Sequence, residues 1–207
     1  MKRDEKINIM KSKIIQSADE EFSEKGYELA SMNNICKNAA ISKGIIYHYF
    51  KDKDELYLAC IQECYRALYD FYLKDGKTFL LNGDVQLLME MRMNFFKNYP
   101  VYRGLFFQAL LNTPQRLKKE VEDLKESIKQ LHFEIYLNYL KKLKLRDNIT
   151  IEQSIKYLDI MQNAYNDYFR KQIESNLDFE TLIDEHEKLI PKWIDLMMYG
   201  IVKEEIE

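Results

Sequence analysis

The stretch from Ser31 to Phe50, SMNNICKNAAISKGIIYHYF, allows few folds, because it spells two short helices around a tight turn. Ser31 is suited to cap a helix on which Met32, Ile35, Cys36 and Ala39 share one stripe that can be buried. Ala40 and Ile41 carry no capping chemistry, and Ser42 can restart the chain as a second helix from Lys43 to about Tyr49. On that helix Lys43, Gly44, Tyr47 and His48 fall on one side, with Ile46 and Phe50 four apart on another. The apolar side is predicted to be core. The polar side is free for a partner, and a short helix presented in this way is a form in which proteins read DNA.

The flanks extend the pattern. Ile7, Met10, Ile14, Ile15, Ala18 and Phe22 follow helical spacing up to Gly26, a residue suited to a helix C-terminus. Asp52, followed three residues later by Glu55, has the form of a capping box and opens a helix through Leu56, Ala59, Cys60 and Leu68. Three helices and the start of a fourth are therefore expected around the turn.

Phe22 to Tyr27 (FSEKGY), Ser31 to Ala39, Ser42 to Phe50 (SKGIIYHYF) and Lys51 to Leu56 (KDKDEL) together resemble the N-terminal domain of the tetracycline-repressor (TetR) family. The likeness covers roughly the first third of the chain. It implies an all-α protein: an N-terminal three-helix helix-turn-helix DNA-binding domain over residues 8–68, with the motif at about 31–50, and a C-terminal helical ligand-binding and dimerisation domain over 69–207. It further implies a homodimeric repressor that binds a palindromic operator in double-stranded DNA and is released by a small effector. By matching position, Lys43, Gly44, Ile45, Tyr47, His48 and Tyr49 are expected to contact bases or phosphates. Ser31, Ser42 and Lys53 fall at helix starts that hold DNA. Lys is a mobile charge for phosphate, Gly44 permits close backbone approach, and Tyr47 and His48 offer hydrogen bonds. Two positions depart from the family pattern. Ala40 stands where Gly is frequent, and a left-handed conformation there costs an Ala roughly 1–2 kcal/mol. Ile45 stands where a hydroxyl residue is common, so it offers an apolar contact, such as one to a thymine methyl.

Basic residues cluster at Lys2, Arg3, Lys6, Lys11 and Lys13 and again at Lys37, Lys43, Lys51 and Lys53. Residues 1–53 nevertheless carry only ten Lys or Arg against eight Asp or Glu, so the first domain is only mildly basic in a chain of net charge −3.

Beyond the fourth helix, punctuation falls at Asp75-Gly76, Asn82-Gly83, Tyr99-Pro100 and Thr113-Pro114. Thr113 is read as a cap with Pro114 at the first helical position, opening a long helix to about Leu145. Thr150 to Glu152 opens another, and Asp178 caps a last one, in which Pro191 predicts a kink or break near Ile190. By resemblance the final two helices pair with those of a second copy. Ile151, Ile155, Leu158 and Gln162, with Ile183, Ile190, Trp193 and Met197, are the candidate seam, the alternative being that these stripes cover the monomer core. Aromatic residues and their polar neighbours supply candidates for an effector site: Tyr65, Tyr69, Phe95, Phe96, Phe107, Tyr136, Asn163, Tyr165 and Tyr168. These fit a hydrophobic or aromatic compound, and each can equally be core.

Six Gly and three Pro in 207 residues suit a helical chain. The charged N-terminus and the lack of about 18 uninterrupted apolar residues argue against a signal sequence or a membrane span, so a cytoplasmic protein is expected. Three cysteines do not make a disulfide framework. Cys60 and Cys64, at i and i+4, leave open a thiol sensor as an alternative function, as does a DNA-binding protein of this fold without an effector. Histidines at 48, 132 and 186 are scattered, and no phosphate loop, nucleophile elbow or metal-ligand run is present, so no enzyme, metal or cofactor is expected.

Overall fold

The computed structural model describes residues 3–74, 82–173 and 178–199, with side chains from residue 5 to residue 198. Lys2 and the Asp75-Gly76 punctuation lie outside the described residues. The chain forms two compact units, one of residues 1–68 with 95–126 and the other of residues 69–94 with 127–207.

In the first unit, α1 (Arg3–Leu29) buries Ile14, Ala18 and Phe22 completely, as their spacing of four predicts. Gly26 breaks its helical geometry with φ 68° and ψ 177°, a region open essentially to glycine alone. The chain then turns into α2 (Met32–Asn38), α3 (Lys43–Tyr49) and α4 (Lys53–Leu73). Ile35, Ile46, Leu56 and Ile61 have no exposed surface. Phe22 and Tyr27 both pack edge-on against Tyr57, with ring centroids 5.1 and 5.2 Å away.

A later segment completes this unit. After α5 (Val85–Asn98), Pro100 occupies the first turn of α6 (Pro100–Leu111), where a missing N–H costs nothing. α6 lies directly on α1. A Cβ at Gly104 would stand 2.0 Å from Ser23 Oγ, so only a bare backbone permits this approach. Phe95, Phe96, Phe106 and Phe107 join Tyr65 in an aromatic cluster with centroids 5.1–6.0 Å apart. The single long helix expected after Pro114 is replaced by three pieces. Thr113 Oγ1 donates back to the Ala109 carbonyl at 2.7 Å instead of capping forward. A 3₁₀ turn (Gln115–Leu117) and α7 (Lys118–Leu124) follow, and α8 (Glu126–Leu140) ends five residues before the predicted limit.

The second unit holds most of α5, α8, α9 (Ile151–Ile173) and α10 (Phe179–Tyr199). Asp84 caps α5 through the Leu87 N–H at 2.8 Å, and Asp178 caps α10 through the Thr181 N–H at 3.1 Å. Thr150 and Gln153 exchange bonds of 2.9 and 3.1 Å in a full capping box, so the box partner is Gln153. α10 runs through Pro191 as one helix, and the break considered near Ile190 does not occur. Leu140, Leu158, Met197 and Met198 form a core flanked by Ile151, Ile155 and Ile194.

Candidate functional site

The turn between α2 and α3 explains how the second helix is set. Ile41 N–H reaches the Cys36 carbonyl at 3.0 Å and Ala40 N–H the Lys37 carbonyl at 3.1 Å, the paired bonds of a Schellman ending. This ending needs a left-handed residue, and Ala40 takes that place with φ 51°. The departure seen in the sequence is therefore a strained residue. Ala40→Gly is expected to raise stability by about 1 kcal/mol, less the extra freedom glycine has when unfolded, measured by urea denaturation. A lower midpoint would show that the alanine is not strained.

α3 docks through Ile46, fully buried, and Phe50, 5% exposed. Lys43, Gly44, Ile45, Tyr47 and His48 all face outward, Tyr47 with half its surface accessible. Tyr49 is half-buried and meets the His48 ring edge-on at 5.2 Å. The two sides of the helix thus separate as the spacing predicts.

The starts of the helices are held differently from the expectation. Ser31 and Ser42 occupy the N-cap positions with extended backbones, yet neither side chain makes a cap hydrogen bond. Glu21 supplies an acceptor at α2 instead. Its carboxylate takes the Ser31 N–H at 2.9 Å, Asn34 Nδ2 at 3.1 Å and Lys25 Nζ at 3.0 Å. Burial pushes Glu21 up, but these hydrogen bonds outweigh it and hold the carboxyl below its ordinary value. The sequence signal for Glu21 is its place on the stripe of Ala18 and Phe22, where a carboxylate needs partners.

Lys53 rests over the Tyr27 ring at 4.5 Å and donates to the Glu28 carbonyl at 3.4 Å; burial lowers its pKa. Beside it, Asp54 binds Arg116 Nη2 at 2.9 Å and Nε at 3.1 Å, and accepts from the Tyr27 hydroxyl. Arg116 lies outside the span first assigned to DNA binding. Its hydrogen bond, followed by that of Tyr27, keeps the Asp54 carboxyl below the usual carboxylate range.

Cys60 and Cys64 are fully buried, and burial pushes both thiols well above their ordinary value. Such thiols lack the thiolate and the access that a redox sensor uses. Among the described residues no cluster of ligating side chains could hold a metal. Next to Cys60, Asp19 is 6% exposed and burial raises its pKa to about 7. A carboxyl with a raised folded pKa keeps its proton in the folded state after the unfolded chain has lost it. Stability from this group is full below about pH 4 and falls by about 1.4 kcal/mol per pH unit up to about pH 7. Asp19→Asn is expected to raise the melting temperature clearly at pH 8 and little at pH 4. Equal gains at both pH values would rule this titration out.

The aromatic candidates divide between the units. Tyr65, Phe95, Phe96 and Phe107 are buried in the first, whereas Tyr69, Tyr136, Asn163, Tyr165 and Tyr168 belong to the second. In the second unit a narrow cleft, with room for about one water molecule, is lined by Tyr136 of α8, Leu158, Gln162 and Tyr165 of α9, and Ile190, Ile194 and Met197 of α10. Asn163 and Tyr168 are exposed, and Tyr69 is half-buried. Behind the cleft, Tyr165 donates to the His186 carbonyl at 2.6 Å, and His186 Nε2 lies 3.1 Å from Asn166 Oδ1. Burial lowers the His186 pKa, favouring the neutral ring. Arg92 and Glu187 form an ion pair there at 2.9 Å.

Of the seam candidates, Leu158, Ile183, Ile190 and Met197 are buried within the subunit, and Ile151, Ile155 and Gln162 are half-buried. Trp193 is 40% exposed. It stands with Leu189 and Leu196 on an outward stripe of α10, while Ile160 and Tyr168 mark an outward stripe of α9. Each of the two helices thus carries an outward apolar stripe beside its buried one. Among the described residues no helix is long and apolar enough to cross a membrane.

Residues 14–60 match the model of the bacterial regulatory proteins of the tetR family. The chain is 30% identical over 132 residues to the biofilm operon icaADBC negative transcriptional regulator IcaR of Staphylococcus epidermidis, covering 63% of this chain and 69% of that one. It is 47% identical over 62 residues to the transcriptional regulator UidR of Escherichia coli, covering 30% and 32% of the two chains. Similar solved folds include the regulatory protein TetR from Rhodobacter sphaeroides, with TM-score 0.60, 17% identity and coverage of 92% and 98%. FadR from Bacillus subtilis, solved in complex with stearoyl-CoA, gives TM-score 0.58 and 15% identity over 86% and 96%.

Proposed function

Because the chain belongs to the TetR family, whose members are DNA-binding transcriptional regulators and not enzymes, we propose that it is a homodimeric repressor released from a palindromic operator by a small apolar effector. The observation that carries this reading is the outward face of α3, with Lys43, Tyr47 and His48 exposed above a buried Ile46. Residues 8–68 read DNA, joined by the packing of α6, and residues 69–207 hold the effector and the partner copy. Lys43 anchors a phosphate, Tyr47 and His48 donate to phosphate or base edges, Ile45 gives an apolar contact, and Gly44 and Tyr49 let the helix lie close. Ser31 and Ser42, with hydroxyls not engaged in capping, and Lys53 bind phosphates beside the helix starts.

Two copies place the paired α3 helices in successive major grooves, about 34 Å apart. The partner copy covers the outward stripes of α9 and α10, with Trp193 the seam residue at the centre. The cleft formed by Tyr136, Leu158, Tyr165 and Ile190 receives the effector.

Binding of the purified dimer to a palindrome upstream of its own gene, titrated with salt, tests this function. Lys43→Ala is expected to reduce the slope of log K against log salt by about one, and an unaltered slope removes it from the phosphate contacts. Tyr47→Phe is expected to weaken operator binding without lowering the melting temperature. Absence of sequence-specific binding by the natural protein would end the repressor reading.

A further inference from the structure

The ion pair behind the cleft is not explained by packing alone. The Arg92 and Glu187 side chains are 5% and 11% exposed, and a buried guanidinium is costly unless its remaining N–H groups are also bonded. Among the described residues, Arg92 Nε and the fully buried Tyr72 Oη have no hydrogen-bond partner. Tyr72 senses the charges of both Arg92 and Glu187. Tyr165, a wall of the cleft, donates at 2.6 Å to the carbonyl of His186, the residue next to Glu187, which joins the cleft to the Arg92 pair. The apolar cleft therefore backs onto a cation whose donors are incompletely used.

We infer that this narrow cleft widens, as Glu187 leaves Arg92, to bind an amphipathic monocarboxylate, its apolar tail along Leu158, Ile190 and Ile194 and its head group on Arg92 in place of Glu187. The inference rests on the effector reading above and names the chemistry of the effector. A planar guanidinium can hold a carboxylate through two parallel N–H bonds, and Arg92 Nε is one donor still available for that geometry. The Tyr72 hydroxyl is a further donor for the second oxygen. Glu187 acts as an internal stand-in for the ligand, and as the more exposed partner it has the route out. An uncharged head group would have to break the pair with no charge to replace Glu187, and a cationic one would meet Arg92. Glu187 precedes Leu189, Trp193 and Leu196 on α10, so its release acts on the helix proposed to meet the partner copy.

Trp193 is the chain's one tryptophan, and its ring lies 5.7 Å from that of Tyr165. Its fluorescence is followed while the full-length protein is titrated with decanoate, decanol and decylamine below their aggregation limits, and operator release is scored with the same probes. Decanoate is expected to bind at least tenfold more tightly than decanol, which is about 1.4 kcal/mol, with decylamine weakest. Glu187→Gln is expected to tighten decanoate several-fold by weakening the internal competitor. The double variant Arg92→Met with Glu187→Met, which leaves no unpaired charge, is expected to bind decanoate and decanol alike. Equal binding of the two by the natural protein, with operator release by both, would overturn the carboxylate site and leave the effector reading standing. Failure of all three probes to bind or to release the operator would overturn both.

Discussion

Gly26→Ala is expected to lower the stability of the DNA-reading unit by about 2–3 kcal/mol. Two separate costs combine at this position. The backbone stands at φ 68° and ψ 177°, where an L side chain collides with its own peptide groups. An added Cβ would also stand 2.7 Å from Gln108 Oε1 of α6. Gln108 is flexible at its far end, so the steric part can relax while the backbone part cannot. Pairing Gly26→Ala with Gln108→Ala separates them. Urea denaturation of the four proteins is expected to show that the second substitution recovers only the smaller share of the loss. Full recovery would mean that contact with α6, and not the conformation, selects glycine. Because Gly26 sets the direction in which the chain enters α2, operator affinity is expected to fall along with stability.

Arg92→Met is expected to cost about 3–5 kcal/mol, since it takes the cationic partner from the Glu187 carboxylate in a nearly dry site. Arg92→Met with Glu187→Met is expected to recover most of that loss, because two apolar side chains remove the desolvation of both ions together. The comparison is read from denaturation midpoints at one pH and salt concentration. A loss below about 1 kcal/mol for the single variant would place the pair in the class of solvent-screened surface bridges. The distinction bears on ligand binding, since only a desolvated guanidinium gains strongly from exchanging one carboxylate for another.

What could be read without coordinates was local. The stripe of Ile14, Ala18 and Phe22, the ending at Gly26, the faces of α3 and the Asp178 cap each depend on residues within a turn or two of one another. The strain at Ala40 was legible too, because the left-handed residue of a helix ending is a backbone requirement. Glu21 and Arg116 were hidden for the opposite reason. Apart from Lys25, their partners stand 10 to 13 and 62 to 89 positions away along the chain. Periodicity reports that a residue lies on a face but not which of two apolar faces its own subunit covers, so nothing in the spacing separates the buried Leu158 and Ile190 from the exposed Ile160 and Leu189. Thr113 misled through its chemistry. A hydroxyl beside a helix end can bond backward as easily as forward, and the backward bond to Ala109 stopped the predicted helix from starting there.

The membership of residues 95–126 in the first unit bears on how the protein can be taken apart. A boundary drawn at residue 68 follows the order of the chain but cuts through a single packed body, removing α6 from the side of α1 where Gly104 meets Ser23. The unit that carries the helix-turn-helix is therefore built from two separate stretches of the chain. Any chimera that grafts this DNA-reading head onto another sensor must carry both stretches, or rebuild the α6 contact from the host.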